Sequence, residues 1–136
     1  MTKIETGDLH THIFSFSQQE VKQFATLTGD TNPLHLDEEF AAQTQFKKPI
    51  IHGMLSASVI SKILGTEFPG GGSVYLQQSI EFLRPMYVDK QYELRLVIKE
   101  IYTSNHSAIV ETTIKDIASK KMTIRGEAMI MNEEYF

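Results

Sequence analysis

Four segments of alternating apolar and polar residues follow one another in the second half of the chain, with no helical pattern between them. In the second segment, Tyr92, Leu94 and Leu96 alternate with mostly polar residues, which is typical of a strand with one buried face. The connections between segments are short, so neighbouring strands are expected to pair antiparallel. The chain is therefore constrained to fold around an antiparallel sheet. The four segments are SVYLQQSIEFL, QYELRLVIKEI, HSAIVETTIKD and KMTIRGEAMIM.

The longest helical pattern, HGMLSASVISKIL, lies before these strands. Leu55 and Val59 belong to a broad apolar surface, and small residues such as Ser56 lie between the large ones, so we predict a heavily buried helix. Pro49 precedes this helix, and Gly65 is predicted to end it. We predict an α+β fold in which a curved antiparallel sheet wraps around one long central helix. Such a sheet leaves its edges available to a second subunit.

The first half of the chain carries local helix signals. Ser17 and Glu20 have the spacing of a capping box, and Gly29 suits the left-handed residue that ends a helix. Asp37 can cap a short following helix, EEFAAQT. A further strand is predicted near residues 13–16. The predicted order is strand, helix, short helix, buried helix and four strands.

Composition narrows the function classes. The 136 residues are 41% hydrophobic, enough for one core, so residues 1–136 are expected to form a single domain. The net charge of −4 gives no basic footprint for nucleic acid. Without cysteine, disulfides, thiol nucleophiles and cysteine metal sites are excluded. No apolar run suits a signal peptide or a membrane span, so we predict a cytoplasmic protein without a membrane partner.

The stretch TGDTNPLHLD is the densest in chemically active side chains. Asp30 follows a helix end, and Pro33 restricts the path to His35, so the acid and the imidazole could hold one water between them. Taken singly, Asp30 would most often be a turn residue and His35 a surface histidine. Asp30, His35, Asp37 and His52 match no metal-binding spacing, so no metal site is predicted.

Residues 24–54, FATLTGDTNPLHLDEEFAAQTQFKKPIIHGM, resemble the hydratase-2 motif of MaoC-like (R)-specific enoyl-CoA hydratases. That motif is an aromatic residue, then G-D-x-N-P-x-H-x-D, then A, F and P-I-x-H-G, and Phe24 stands where tyrosine is common. The similarity extends over roughly residues 16–131, and is nearest to the short single-domain hydratases linked to polyhydroxyalkanoate synthesis. The resemblance implies one MaoC-like hot-dog domain over residues 1–136. It also implies a homodimer with acyl-CoA thioester sites near the subunit interface.

The resemblance implies the reversible hydration of trans-2-enoyl-CoA to (R)-3-hydroxyacyl-CoA, without a cofactor. Water must attack the β-carbon, a proton must reach the α-carbon, and negative charge builds on the thioester oxygen. By resemblance, Asp30 and His35 are catalytic: they activate one water, which adds its OH and a proton to the same face. Asp30 is expected to take the larger share of the deprotonation. Which of the two returns the proton stays open.

Four further residues receive roles from the resemblance. Gly53 opens the buried helix, where free N–H groups and the helix dipole favour negative charge, and it is the implied oxyanion donor. Glycine would also let a thioester approach the backbone closely. His52 shapes the start of that helix, and Asn32 orients Asp30 or its loop. Ser61, expected at a buried helix position, matches a serine that lines the acyl or thioester region.

Two other function classes stay open at this point. A hot-dog thioesterase would also use an acid and a helix N-terminal donor, but it would not resemble GDTNPLHLD followed by PIIHG. A non-catalytic module that binds acyl-CoA or an acyl carrier would not need both Asp30 and His35. The sequence leaves open the acyl chain length, the choice between coenzyme A and an acyl carrier protein, and the pathway.

Overall fold

The computed structural model describes residues 3–136, which form five strands and four helices. In chain order these are β1 (Leu9–Phe14), α1 (Gln18–Thr28), α2 (Pro33–Leu36), α3 (Glu38–Ala42), α4 (Gly53–Thr66), β2 (Val74–Phe82), β3 (Tyr92–Tyr102), β4 (Ser107–Asp116) and β5 (Met122–Met131).

The strands form one antiparallel sheet in the order β1-β3-β4-β5-β2. The four strands predicted from alternation are confirmed as β2 to β5. The strand predicted at residues 13–16 lies earlier, because Leu9 to Phe14 pair in register with Val97 to Tyr92. β1 and β2 are therefore the two edges of the sheet, and both edges come from outside the central β3-β4-β5 meander.

Helix α4 supplies one side of the hydrophobic core. Ile60 and Ile63 are fully buried, and they belong to the same apolar cluster as Leu96 and Ile114 from the inner face of the sheet. Each such side chain contributes roughly 1.5–3 kcal/mol when it leaves water. A sheet that encloses one central helix is the hot-dog fold, so the predicted α+β architecture is confirmed.

The predicted end of α4 at Gly65 is wrong by one residue, since the helix continues to Thr66. Gly65 does not adopt the left-handed backbone that would stop a helix. None of the helices between residues 3 and 136 is long and apolar enough to cross a membrane.

The caps of α1 agree with the sequence and fix where the following loop begins. Glu20 N–H donates to Ser17 Oγ at 3.1 Å, and Ser17 N–H donates to Glu20 Oε1 at 2.9 Å. Gly29 has a φ of 79°, and its N–H donates to Ala25 O at 2.8 Å. Asp30 is thereby the first residue beyond a closed helix end.

The segment after Asp30 is more helical than the sequence indicated. Asn32-Pro33 signals a turn, and the structure forms a single helical turn, α2, with proline in its first turn. Asp37 is confirmed as the cap of α3, because its Oδ1 accepts from Glu39 N–H at 2.9 Å and Phe40 N–H at 3.1 Å.

Candidate active site

A cavity of about 520 Å³ lies where the loop after α1 meets the start of α4. Its polar side chains are Asp30, His35, His52, Ser56 and Arg84. Residues 82–86, which run from the end of β2 toward β3, form much of the opposite wall. Sequence-distant segments thus converge on one pocket of the size that binds small molecules.

Asp30 and Asn32 are held by local backbone hydrogen bonds. Asp30 N–H donates to Thr28 Oγ1 at 3.2 Å, and Asn32 N–H donates to Asp30 Oδ1 at 3.4 Å. The side chain of Asn32 caps α2, since its Oδ1 accepts from Leu34 N–H at 3.0 Å. Asn32 therefore contacts Asp30 through its backbone, while its amide side chain fixes the following turn.

His35 is buried, and one hydrogen bond determines its tautomer. Nδ1–H donates to Ile50 O at 2.7 Å, and a carbonyl can only accept, so Nε2 carries the free lone pair. Burial is the main cause that lowers the pKa of His35 below 6.5, and the nearby His52 lowers this pKa further. The bond to Ile50 and the charge of Asp30 act in the opposite direction. At neutral pH His35 is therefore a neutral ring that can accept a proton.

His52 connects three parts of the site. Its Nε2–H donates to the backbone carbonyl of Asp30 at 3.0 Å. Its ring packs against His35 in a tilted arrangement, with centroids 3.9 Å apart and planes 31° apart, and lies 4.8 Å from the ring of Phe24. It is also the N-cap residue of α4, directly before Gly53. One side chain, 2% exposed, thereby links the acid, the imidazole and the helix start.

Gly53 is the first residue of α4, and its N–H belongs to the free donors of a helix N-terminus. A Cβ at this position would lie 2.6 Å from Cε1 of Phe82, so a larger residue would force that ring to move. The sequence explained this glycine by the close approach of a thioester. The structure adds a second reason, which is the packing of Phe82 against the helix start.

The serine of α4 that lines the cavity is Ser56, which is 1% exposed. The predicted burial of Ser61 is wrong, because Ser61 is exposed and lies outside this cavity. It is seven residues from the exposed Met54, so the two share one side of α4, but Met54 lines the cavity at the start of the helix and Ser61 lies two turns beyond it. The sequence marked Ser56 only as a small packing residue, because its spacing from His52 does not show which side of the helix meets the cavity.

Asp30, His35 and His52 each offer one potential ligand atom, and these atoms lie within 4.8 Å of one another. His35 Nδ1–H and His52 Nε2–H both donate to backbone carbonyls, so an ion could bind only His35 Nε2 and the buried His52 Nδ1. Asp37, the fourth candidate, is occupied as the cap of α3. The geometry therefore favours a shared water over a metal ion, and the absence of a metal stays a prediction.

Comparison with known proteins gives a consistent result. The model of the MaoC like domain matches residues 3–122. The (R)-specific enoyl-CoA hydratase of Aeromonas caviae is 40% identical over 115 residues, which cover 85% of each chain. That of Rhodospirillum rubrum is 36% identical over 117 residues, covering 86% of this chain and 80% of the relative. A solved structure of the A. caviae (R)-hydratase involved in PHA biosynthesis superposes with a TM-score of 0.92 and 36% identity, covering 97% of this chain and 99% of that one. The chain therefore belongs to the family of MaoC-like domains, as its motif over residues 24–54 predicted.

Proposed function

We propose that this protein is an (R)-specific enoyl-CoA hydratase, a hydro-lyase that reversibly adds water to trans-2-enoyl-CoA. The observation that carries the proposal is the pairing of Asp30 and His35, whose ligand atoms lie within 4.8 Å of each other in the cavity that begins at Gly53. The two hydratases named above carry this same activity in their names. A single MaoC-like hot-dog domain over residues 1–136 performs the reaction without a cofactor.

The proposed reaction starts from one water held by both groups. The Asp30 carboxylate and the His35 Nε2 lone pair are acceptors, so the water donates one hydrogen to each and keeps a lone pair for the β-carbon. As the C–O bond forms, one proton passes to the pair, with the larger share taken by Asp30. The electrons of the double bond move to the thioester as an enolate. The pair then returns a proton to the α-carbon on the same face, which gives the (R)-3-hydroxyacyl thioester.

The start of α4 is placed to stabilise the enolate. The Gly53 N–H has no helical acceptor, and the dipole of this 14-residue helix is positive at that end. An oxygen bound there gains charge only as the reaction proceeds, so the donor lowers the barrier more than it tightens substrate binding. Asn32 and His52 support this arrangement by holding the loop of Asp30.

A homodimer is part of the proposal. The edge strand β2 exposes Val74, Leu76 and Phe82 by 45%, 50% and 53%, and Met54 on α4 is 63% exposed. An unpaired edge with adjoining apolar side chains is the kind of surface that a second copy covers. Because Phe82 also lines the cavity, the second subunit would border the site and would cover the face that carries Ser61. Sedimentation should give twice the chain mass of 15.5 kDa, and a monomer in dilute solution would contradict the dimer.

The function is tested with crotonyl-CoA, with the Asp30→Asn protein as the matched blank. A hydratase removes the enoyl absorbance without releasing thiol, and its product is oxidised by an (R)-specific 3-hydroxyacyl-CoA dehydrogenase. Release of thiol would instead indicate a thioesterase. A protein that binds the ligand saturably, but neither removes the enoyl absorbance nor releases thiol, would be a binding module. A series of enoyl-CoA lengths, with matched acyl-carrier thioesters, then defines the substrate. The cytoplasmic location stays a prediction from the sequence.

A further inference from the structure

Two polar atoms at the start of α4, one on its N-cap residue and one in its first turn, are buried without a protein hydrogen-bond partner. They are Nδ1 of His52 and Oγ of Ser56, in side chains that are 2% and 1% exposed. Buried polar groups nearly always have a partner, and ordered water supplies it where protein does not. Two such atoms in one cavity wall therefore mark a polar site that the reaction described above does not use.

The two atoms have complementary hydrogen-bonding roles. His52 is the N-cap residue of α4 and Ser56 lies in its first turn, where Ser56 N–H donates to His52 O at 3.1 Å, and both residues line the cavity. The Nε2–H of His52 is committed to the carbonyl of Asp30, which leaves Nδ1 as an acceptor. A serine hydroxyl can donate one hydrogen bond and accept others. A small neutral molecule that both donates and accepts satisfies this pair.

We propose that His52 Nδ1 and Ser56 Oγ hold one buried water, and that Ser56 acts through it as a positioning residue for the loop of Asp30. A water that donates to Nδ1 favours the tautomer with hydrogen on Nε2, which is the tautomer that binds the carbonyl of Asp30. It also restrains the ring that packs against His35. This inference rests on the proposed roles of Asp30 and His35 in hydration.

The competing explanation is that Ser56 is only a small packing residue with an idle hydroxyl. The two explanations predict opposite effects of Ser56→Ala on stability. Deleting an unsatisfied buried hydroxyl removes its desolvation cost, so a packing role predicts an unchanged or higher melting temperature. Removing a group that holds a water leaves His52 Nδ1 without its partner, so the melting temperature should fall and the loop of Asp30 should lose restraint.

The kinetic test compares Ser56→Ala with Thr66→Ala in the full-length protein. Thr66 is exposed on the same helix, and its hydroxyl donates to Lys62 O at 2.6 Å, so it reports the loss of a hydroxyl from α4 away from the cavity. For Ser56→Ala we expect kcat on crotonyl-CoA to fall roughly 10-fold or more while KM stays within about twofold, since small misplacements of reacting groups can lower the rate 10²-fold. Thr66→Ala should retain the wild-type kcat.

A second measurement does not depend on activity. A crystal structure of the wild-type protein should show a water within about 3.2 Å of both His52 Nδ1 and Ser56 Oγ, and this water should be absent from Ser56→Ala. Density without a bridging water, or a Ser56→Ala protein with a higher melting temperature and unchanged kcat, would overturn the inference. A wild-type protein that is inactive on enoyl thioesters but holds the water would contradict the proposed function and still support the water site.

Discussion

The sharpest test of the site is a double-mutant cycle on Asp30 and His35. A water with hydrogen bonds of about 2.8 Å can bridge two atoms up to about 5.6 Å apart, and the ligand atoms of these residues lie within 4.8 Å. If both groups hold the same water, a protein that lacks either group cannot position that water, so the remaining group has nothing to act on. Asp30→Asn keeps the shape of the side chain and loses the base. His35→Asn keeps an amide N–H near Ile50 O, in the place of Nδ1–H, and loses Nε2.

The size of the effect follows from the shared water. Each single substitution should lower kcat on crotonyl-CoA by at least ~10²-fold, the lower end for a general acid–base group. Two independent groups would then give ~10⁴-fold in the double mutant. Two groups that act on one water should give about the loss of the more severe single mutant, as in other catalytic units. The difference between these outcomes, ~10²-fold, corresponds to a coupling free energy of about 2.7 kcal/mol.

Stability measurements separate chemistry from folding. Asp30 is exposed, so Asp30→Asn should hardly change the melting temperature. His35 is buried, and a variant that left Ile50 O without a donor would lose about 1–3 kcal/mol, so His35→Gln should be less stable than His35→Asn. The assay is the loss of enoyl absorbance in a stopped-flow or plate format. An Asp30→Asn enzyme within tenfold of wild type, or a double mutant equal to the product of the singles, would refute the shared water.

Four further results are expected. Because burial lowers the pKa of His35 below 6.5, kcat/KM should hold as the pH falls to 6.5 and drop as it passes through the lowered value. The free energy of unfolding should also fall below pH 6.5, where the unfolded chain takes up the proton first, and His35→Asn should remove this component of the pH dependence. Gly53→Ala should lower both stability and kcat/KM, since its Cβ would lie 2.6 Å from Phe82 Cε1. Adding Phe82→Ala should recover only the stability. Recovered turnover would mean that the glycine serves only the packing of Phe82. Ser61→Ala should lower turnover more than stability, because the neighbouring subunit would cover this residue beside the site. An unchanged kcat/KM would mean that Ser61 is only a surface residue.

Local patterns in the sequence determined the elements of this fold. Alternation of apolar and polar side chains at period two located β2 to β5. The strands β3, β4 and β5 each bury one face, and the mostly exposed edge strand β2 still alternates in part. Ser17 with Glu20, Gly29 and Asp37 predicted helix ends correctly, because capping depends on atoms only a few residues apart. The boundary of β1 was missed because the residues of β3 that pair with it lie 78 to 88 positions away along the chain.

The sequence also determined which residues gather at the site, since the motif over residues 24–54 contains Asp30, His35 and Gly53. Only the tertiary structure decided how they act on one another. The tautomer of His35 depends on the carbonyl of Ile50, and the ring of His52 meets both His35 and the backbone of Asp30 across a loop. The choice between Ser56 and Ser61 depends on which face of α4 turns toward the cavity. A helix phase and a tautomer are set by three-dimensional neighbours, and residue types and spacing along the chain do not encode them.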